Sequence, residues 1–276
     1  MKHTLQRLDL MIAYSCNIAC VGCISLSDHK RNGIAALTDI TQWINEWSCV
    51  ITPVVLTIFG GEPLLHPNLI EICQLVRTAW PNTTIRLITN GYLLNNFDVK
   101  HWFTLGKFEM QVSVHRKDHE HIINKNLKNI MLYKKGWKTI SHGGNQHKQI
   151  EWNNDTVSIY KSIFKEFVVP YKQINGDIFP WGSDPVSAHN ICGSPDTPIL
   201  YKGQLYKCPP VANIIDLTGV NYENYQGLKF TDNLTEFINN INCPELVCGQ
   251  CPDHKNAVII DHFDPKNVII KQKNIS

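Results

Sequence analysis

The sequence has no stretch of about 20 apolar residues and no apolar N-terminal signal region. A helical membrane span is therefore not expected, and the chain reads as cytoplasmic. Charge imbalance is also missing: the formal net charge is +2, too small for a global attraction to nucleic acid or membrane. No internal repeat or low-complexity tract is present, which excludes a solenoid or a linker-like chain. Cysteine, by contrast, is abundant, with ten in 276 residues. Disulfides rarely persist in the cytoplasm, so this count points to metal or redox chemistry. The length suits one large α/β domain, alone or with a small appendage.

Cys16, Cys20 and Cys23 leave the end of a short apolar strand with the spacing C-x3-C-x2-C. Three thiols cannot complete a tetrahedral zinc site or a four-cysteine iron–sulfur site. Either a fourth ligand lies elsewhere, or one metal is left open to an exogenous ligand. A second motif, Phe59-Gly60-Gly61-Glu62-Pro63, follows the next strand-like run. Its glycines permit a close backbone approach, and Glu62 offers an anion suited to an ammonium group.

Apolar β-rich runs alternate with amphipathic stretches over the first two-thirds of the chain. Strands are predicted over 8–14, 54–59, 84–88, 108–114 and 137–141. Helices are predicted over 38–47, 69–79, 97–105, 120–135 and 156–164. Repeated β-then-α units predict a parallel sheet with ligands at the carboxyl ends of its strands. Five or six units fall short of an eight-unit barrel, so the expected α/β fold is a partial (β/α)6-type barrel.

The character changes near residue 180, where prolines, short strands and five of the ten cysteines take over. Residues 199–208 read as a hairpin turning at Lys202-Gly203. It carries Cys208, with Cys192 upstream and Cys243, Cys248 and Cys251 downstream. A hairpin thiol at each end and a C-x2-C loop supply four sulfurs for one site. Zinc and iron–sulfur share such ligands, and spacing alone leaves the metal open. Cys49 and Cys73, on apolar helical stretches, read as buried small hydrophobes.

Taken together, C-x3-C-x2-C and Gly-Gly-Glu-Pro one β/α unit later resemble the radical S-adenosylmethionine (SAM) superfamily. The resemblance implies that Cys16, Cys20 and Cys23 ligate a [4Fe–4S] cluster whose fourth iron binds SAM. It also implies that Gly60, Gly61 and Glu62 cradle the methionine amino group. Asn90, Ser113 and Arg116, at later strand ends, fall where related enzymes contact SAM. One departure is Gly22, where many members carry an aromatic residue near the adenine; Tyr14 or backbone is the substitute expected here. Cys192 followed by Gly203 and Cys208 resembles the opening of the SPASM/twitch extensions. The cysteine count fits the twitch form with one auxiliary [4Fe–4S] cluster held by Cys192, Cys208, Cys248 and Cys251. The expected division is residues 1–180 as the barrel and 181–276 as the twitch-like unit, a layout similar to aminocyclitol dehydrogenases of the butirosin type.

That resemblance implies hydrogen abstraction from a small-molecule C–H bond, of a sugar, cyclitol or nucleotide-like substrate, by a 5′-deoxyadenosyl radical. The auxiliary cluster would take the surplus electron of an alcohol dehydrogenation, and flavodoxin or ferredoxin would supply the first. Epimerisation is the alternative, with Cys243 as a catalytic hydrogen donor; peptide maturation is another, although no peptide-recognition domain fits before residue 8. The alternative of a different class is a zinc-structured module whose lysines, clustered over 116–148, contact nucleic acid. Interspersed lysines fit a solvated helix face better. His119 and His121 read as surface residues. A dehydrogenase also needs a base, and His142, His147, His189 and the carboxylate of Asp184 are candidates.

Overall fold

Residues 3–13 place Leu8, Leu10 and Ile12 on one side and Arg7, Asp9 and Met11 on the other, the period of two that a strand requires. They form β1 (His3–Ala13), buried along nearly its whole second half. The computed structural model describes residues 2–29, 31–142 and 147–271. After β1 come β2 (Ile18–Cys20), α1 (Leu37–Ser48), β3 (Ile51–Gly60), α2 (Leu69–Ala79), β4 (Thr84–Thr89), β5 (Phe108–Val114) and α3 (Glu120–Tyr133). Then follow β6 (Lys138–His142), β7 (His147–Asn153), β8 (Val157–Phe164), β9 (Glu166–Val168), β10 (Lys172–Ile174), β11 (Asp177–Phe179) and α4 (Pro185–Asn190). The chain continues with β12 (Ile199–Tyr201), β13 (Gln204–Tyr206), α5 (Pro209–Thr218), α6 (Thr235–Asn239), β14 (Ile259–Asp261) and β15 (Val268–Ile270).

Nine strands form one sheet in the order β13-β12-β1-β3-β4-β5-β8-β7-β6. Its six central strands, β12 to β8, run parallel, and the edges are antiparallel. This is the α/β partial barrel expected from the β-then-α alternation. α1 turns Ile40, Trp43, Ile44 and Trp47 inward, and α2 turns Leu69, Ile72, Cys73 and Val76 inward. These stripes pack with Leu8, Leu10, Leu56, Leu87 and Met110 of the sheet into the main core.

Two expectations are corrected. The stretch expected as a helix over 156–164 is instead β8 (Val157–Phe164). Val157 and Ile159 are buried while Ser158 and Tyr160 are half-buried, an alternation that fits a strand and leaves no helical stripe. Asn153 and Asn154 side chains accept from Asp155, Thr156 and Val157 amides, and Asp155 adopts φ +67°. That turn folds β7 back onto β8, so a meander replaces another β/α unit. Cys49 is the second correction: it is exposed at the end of α1, because it falls past the apolar stripe, whereas Cys73 is buried.

The hairpin at residues 199–206 turns at Lys202 and Gly203, both with positive φ. Its first strand, β12, lies beside β1 and extends the parallel sheet. The C-terminal strands come back to the N-terminal half: β14 pairs with β9, and β15 pairs with β2 so that Val268 faces Cys20. Lys125, Lys128, Lys134, Lys135 and Lys138 are exposed, the solvated face that their spacing suggests. Among the described residues no helix is long and apolar enough to cross a membrane.

Candidate functional site

The cysteine loop starts at the carboxyl end of β1 and rests on the Gly-Gly turn that ends β3. Gly61 N–H donates to Ala13 O at 2.8 Å, and Glu62 N–H to Ser15 O at 2.9 Å. A Cβ on Gly60 would stand 2.2 Å from Ala13 O, and one on Gly61 2.2 Å from Ser15 O. Glycine is thus required at both positions because two backbones touch there. Ser25 Oγ donates to Gly60 O at 2.7 Å and closes the far side of the loop. The loop's three thiols face one another closely enough to feel each other's charge, and burial raises all three above the ordinary thiol range.

Glu62 is fully buried. Its carboxylate accepts from Leu64 N–H at 2.9 Å, Thr89 Oγ1 at 2.7 Å and Asn90 N–H at 2.8 Å. Burial nevertheless pushes its carboxyl up to about 7, against those three bonds. Asn90 turns its side-chain amide to Asn17 Oδ1 at 2.7 Å and to Cys16 Sγ at 3.6 Å. Ser113, on β5, is buried and lies in register with Ser162 of β8. Ser162 is fully buried, and its hydroxyl has no partner among the described residues. The same pleat that puts Ser113 at the strand end puts Ser162 beside it, a neighbour that the helical expectation for 156–164 concealed. Arg116 directs its fork to Asp118, with Nε at 3.0 Å from Oδ1, and also donates to Val268 O at 3.3 Å.

Residues far away in sequence cover this loop. His262 is fully buried, stacks on Phe167 at 3.8 Å between ring centroids, and bonds Val21 O through Nε2 at 2.9 Å. A carbonyl only accepts, so Nε2 carries the proton there. Its Nδ1 meets His115 Nδ1 at 3.3 Å. Burial and His262 together lower His115 to about 3, which keeps it neutral. Gly22 N–H donates to the Tyr171 hydroxyl at 3.2 Å, and Val169 packs 3.3 Å from where a Gly22 side chain would start. Val169 and Tyr171 thus fill the space next to Gly22. Tyr14 faces elsewhere, under Arg31 and edge-on to Tyr201. His119 packs edge-on against Tyr92, and His121 is exposed. His142 and His147 end strands next to residues 143–146, which lie outside the described residues. Asp184 caps α4, accepting from Ser187 N–H at 2.8 Å.

Cys192, Cys208, Cys248 and Cys251 form a second set. The charge of each acts on the others in every pairing, and burial pushes Cys208 up to about 12. Cys208 caps α5, and Cys248 and Cys251 close a short 3-10 turn spanning 246–250. Backbone amides already point at two of these sulfurs: Ser194 N–H at 3.5 Å from Cys192 and Glu245 N–H at 3.5 Å from Cys248. Cys243 stands outside the set and is exposed, its carbonyl accepting from Lys207 Nζ at 2.9 Å. Among the described residues no three of these thiols come within 4.8 Å of one another. A single tetrahedral zinc with bonds of about 2.3 Å needs sulfur–sulfur edges of ~3.8 Å. No three of the described thiols of this set are gathered that closely.

Both thiol sets fit an iron–sulfur group by their donor chemistry. Desolvation raises Cys16, Cys20, Cys23, Cys208, Cys248 and Cys251, and thiols so raised lose their protons readily only to a cation, which a cluster supplies. The first set offers three sulfurs, and the second offers four.

A 4Fe-4S single cluster domain model matches residues 7–131. GTP 3',8-cyclase of Microcystis aeruginosa (strain NIES-843 / IAM M-2473) is 49% identical over 37 residues, 13% of this chain and 11% of that protein. The match therefore spans about a tenth of that relative's length. Among solved structures, the chain is similar to BtrN in complex with AdoMet and 2-DOIA, at 14% identity and TM-score 0.49, over 94% of this chain and 100% of that one. It is also similar to Streptococcus suis SuiB bound to S-adenosylmethionine, at 15% identity and TM-score 0.35, over 43% of this chain and 27% of that one. The three-cysteine loop, the Gly-Gly-Glu-Pro turn on which it rests and the matching 4Fe-4S domain over residues 7–131 make this chain similar to radical SAM enzymes.

Proposed function

We propose that the chain is a radical SAM oxidoreductase that dehydrogenates an alcohol carbon of a small polyhydroxylated substrate, a sugar, cyclitol or nucleotide-like molecule. One observation carries this reading: four thiols, the exposed Cys192 and the half-buried Cys208, Cys248 and Cys251, share one neighbourhood in addition to the set at Cys16, Cys20 and Cys23. When bound and reduced, the first cluster supplies the electron that cleaves SAM into methionine and a 5′-deoxyadenosyl radical. A redox-neutral reaction has no need of a second electron store, whereas loss of a hydrogen atom, a proton and an electron does.

The chain's own groups have distinct parts in this reading. Glu62 and the Gly60–Gly61 backbone hold the amino end of SAM, Asn90 braces Cys16, and Ser113 and Ser162 face the ligand at the strand ends. Residues 1–180 carry the barrel and the first thiol set, and 181–276 the auxiliary-cluster unit, which lends β12 and β13 to the barrel sheet. With a cluster held by Cys16, Cys20 and Cys23, its electron would come from an external one-electron donor of the flavodoxin or ferredoxin kind. The exposure of Cys243 disfavours it as the hydrogen donor of an epimerase, since such a thiol works inside a sealed site.

The test is anaerobic turnover of the reconstituted, reduced chain with SAM and a panel of aminocyclitols and sugars in deuterated solvent. The expected products are 5′-deoxyadenosine and a ketone, with no deuterium at the reacting carbon. Deuterium at an inverted carbon would sink the dehydrogenase reading in favour of epimerisation.

A further inference from the structure

Next to the second thiol set lies a group of polar side chains without partners. Gln250, between Cys248 and Cys251, is fully buried, and neither Oε1 nor Nε2 has a hydrogen-bond partner among the described residues. Trp181 and Ser183 sit against the same turn: Trp181 N–H donates to Gln250 O at 2.9 Å and Ser183 N–H to Gly249 O at 2.8 Å. Their side chains, Trp181 Nε1 and Ser183 Oγ, are likewise buried and unpartnered. A buried amide with both ends unmet costs a few kcal/mol, and three such residues on one turn are unusual in a folded chain.

The inventory shows what is missing. Trp181 only donates, Ser183 can donate, and the Gln250 amide brings two N–H groups and one carbonyl. Trp181 and Ser183 can both satisfy Gln250 Oε1. The Gln250 N–H groups are then left over, and they need an acceptor. Two cysteine ligands flank Gln250 in sequence, and a cluster held by thiolates is rich in accepting sulfur. Backbone N–H groups already reach Cys192 and Cys248; none is found at Cys251 among the described residues.

We propose that Gln250 is a hydrogen-bond donor to the sulfur atoms of the C-terminal cluster, with Trp181 and Ser183 orienting its amide, and that this group holds the cluster's reduction potential up. The proposal rests on Cys192, Cys208, Cys248 and Cys251 being cluster ligands. Donation to sulfur stabilises the more negative, reduced state, which is the direction an electron acceptor requires. The three residues position and tune; none is assigned contact with substrate.

The experiment is an EPR-monitored redox titration of the full, anaerobically reconstituted chain, with and without SAM. The SAM-responsive signal reports the first cluster and the other signal the second. Gln250→Leu and Trp181→Phe are compared with the parent, with iron counted in each. The expected result is unchanged iron, an unmoved SAM-responsive signal, and a second cluster that is harder to reduce. Its reduced-to-oxidised ratio at fixed potential should fall about tenfold for Gln250→Leu, equivalent to about 59 mV for one electron, and less for Trp181→Phe. Equal midpoints in parent and variants overturn the proposal, as does an equal shift of both clusters. If Gln250→Leu loses iron, the Trp181→Phe midpoint decides alone. Full iron content in Cys192→Ala would instead show that Cys192 holds no cluster, a separate failure from an unmoved midpoint.

Discussion

Asn213 Nδ2 donates to the carbonyl of Ile24 at 3.0 Å, so the helix that starts after Cys208 grips the residue following Cys23. Asn213 is fully buried and its Oδ1 also accepts from Arg31, which in turn donates to Ser25 O at 3.1 Å and to Asp216 Oδ2 at 3.0 Å. Asn213 lies five positions past Cys208, a rise of about 7.5 Å along α5. One short helix therefore joins the two thiol sets.

Replacing this residue tests the joint. Asn213→Ala strands Ile24 O and one Arg31 N–H in a buried site, and each unmet group costs roughly 1–3 kcal/mol. Urea denaturation should register a loss of about 2–6 kcal/mol, the sum for the two groups. A variant as stable as the parent would mean that water replaces the asparagine and the joint is dispensable.

Gly61→Ala should remove the first cluster and spare the second. The new Cβ would meet Ser15 O, a backbone atom that cannot rotate away. The cysteine loop must then lift off its seat. Iron per chain is expected to fall from about eight to about four, with loss of the SAM-responsive EPR signal. Retention of that signal would show that the seat tolerates a side chain.

Glu62 gives the cluster-free chain a specific pH dependence. Its folded pKa is raised from 4.5 to about 7 by burial, so between those values the folded chain binds more protons than the unfolded one. Stability from this group is full below about 4.5 and lost as pH rises to 7, on the order of 3 kcal/mol in all. Glu62→Gln should abolish that slope, and it should also be less stable at pH 5, because its amide N–H would face the Asn90 N–H donor. Urea midpoints at pH 5 and pH 8 compare the two chains. The assignment is wrong if parent and variant change equally with pH.

The cysteines should separate into three classes by iron content. Cys192→Ala should lose the second cluster, about half of the iron, while Cys243→Ala and Cys49→Ala retain all of it, since both side chains are exposed and outside either thiol set. Loss of iron in Cys243→Ala would place that thiol among the ligands and remove one of the four assigned here.

Much of the site was legible in local sequence. C-x3-C-x2-C and Gly-Gly-Glu-Pro each lie on one loop, so spacing alone brings their groups together. Strands such as Phe108–Val114 and helices such as Leu69–Ala79 were legible to the residue because their apolar periods are strong. β8 was not: Lys161, tied to Glu120 at 2.7 Å and Asn124 at 3.0 Å, holds an inward position with a polar side chain, which breaks the apolar alternation. With β8 read as helix, Ser162 could not be seen beside Ser113.

The sequence by itself determined the three-thiol loop, its glycine seat, the parallel β/α core and the hairpin turning at Lys202-Gly203. These depend on residues a few positions apart, where spacing and backbone sterics decide the outcome. Only the tertiary structure decided that β12 joins β1, that β15 clamps the cysteine loop through Val268 and Cys20, and that His262 and Tyr171 cover it. It likewise decided that Cys243 is exposed, with its carbonyl accepting from Lys207. Those contacts join residues up to about 250 positions apart, and they follow from which surfaces bury each other, which no local period encodes.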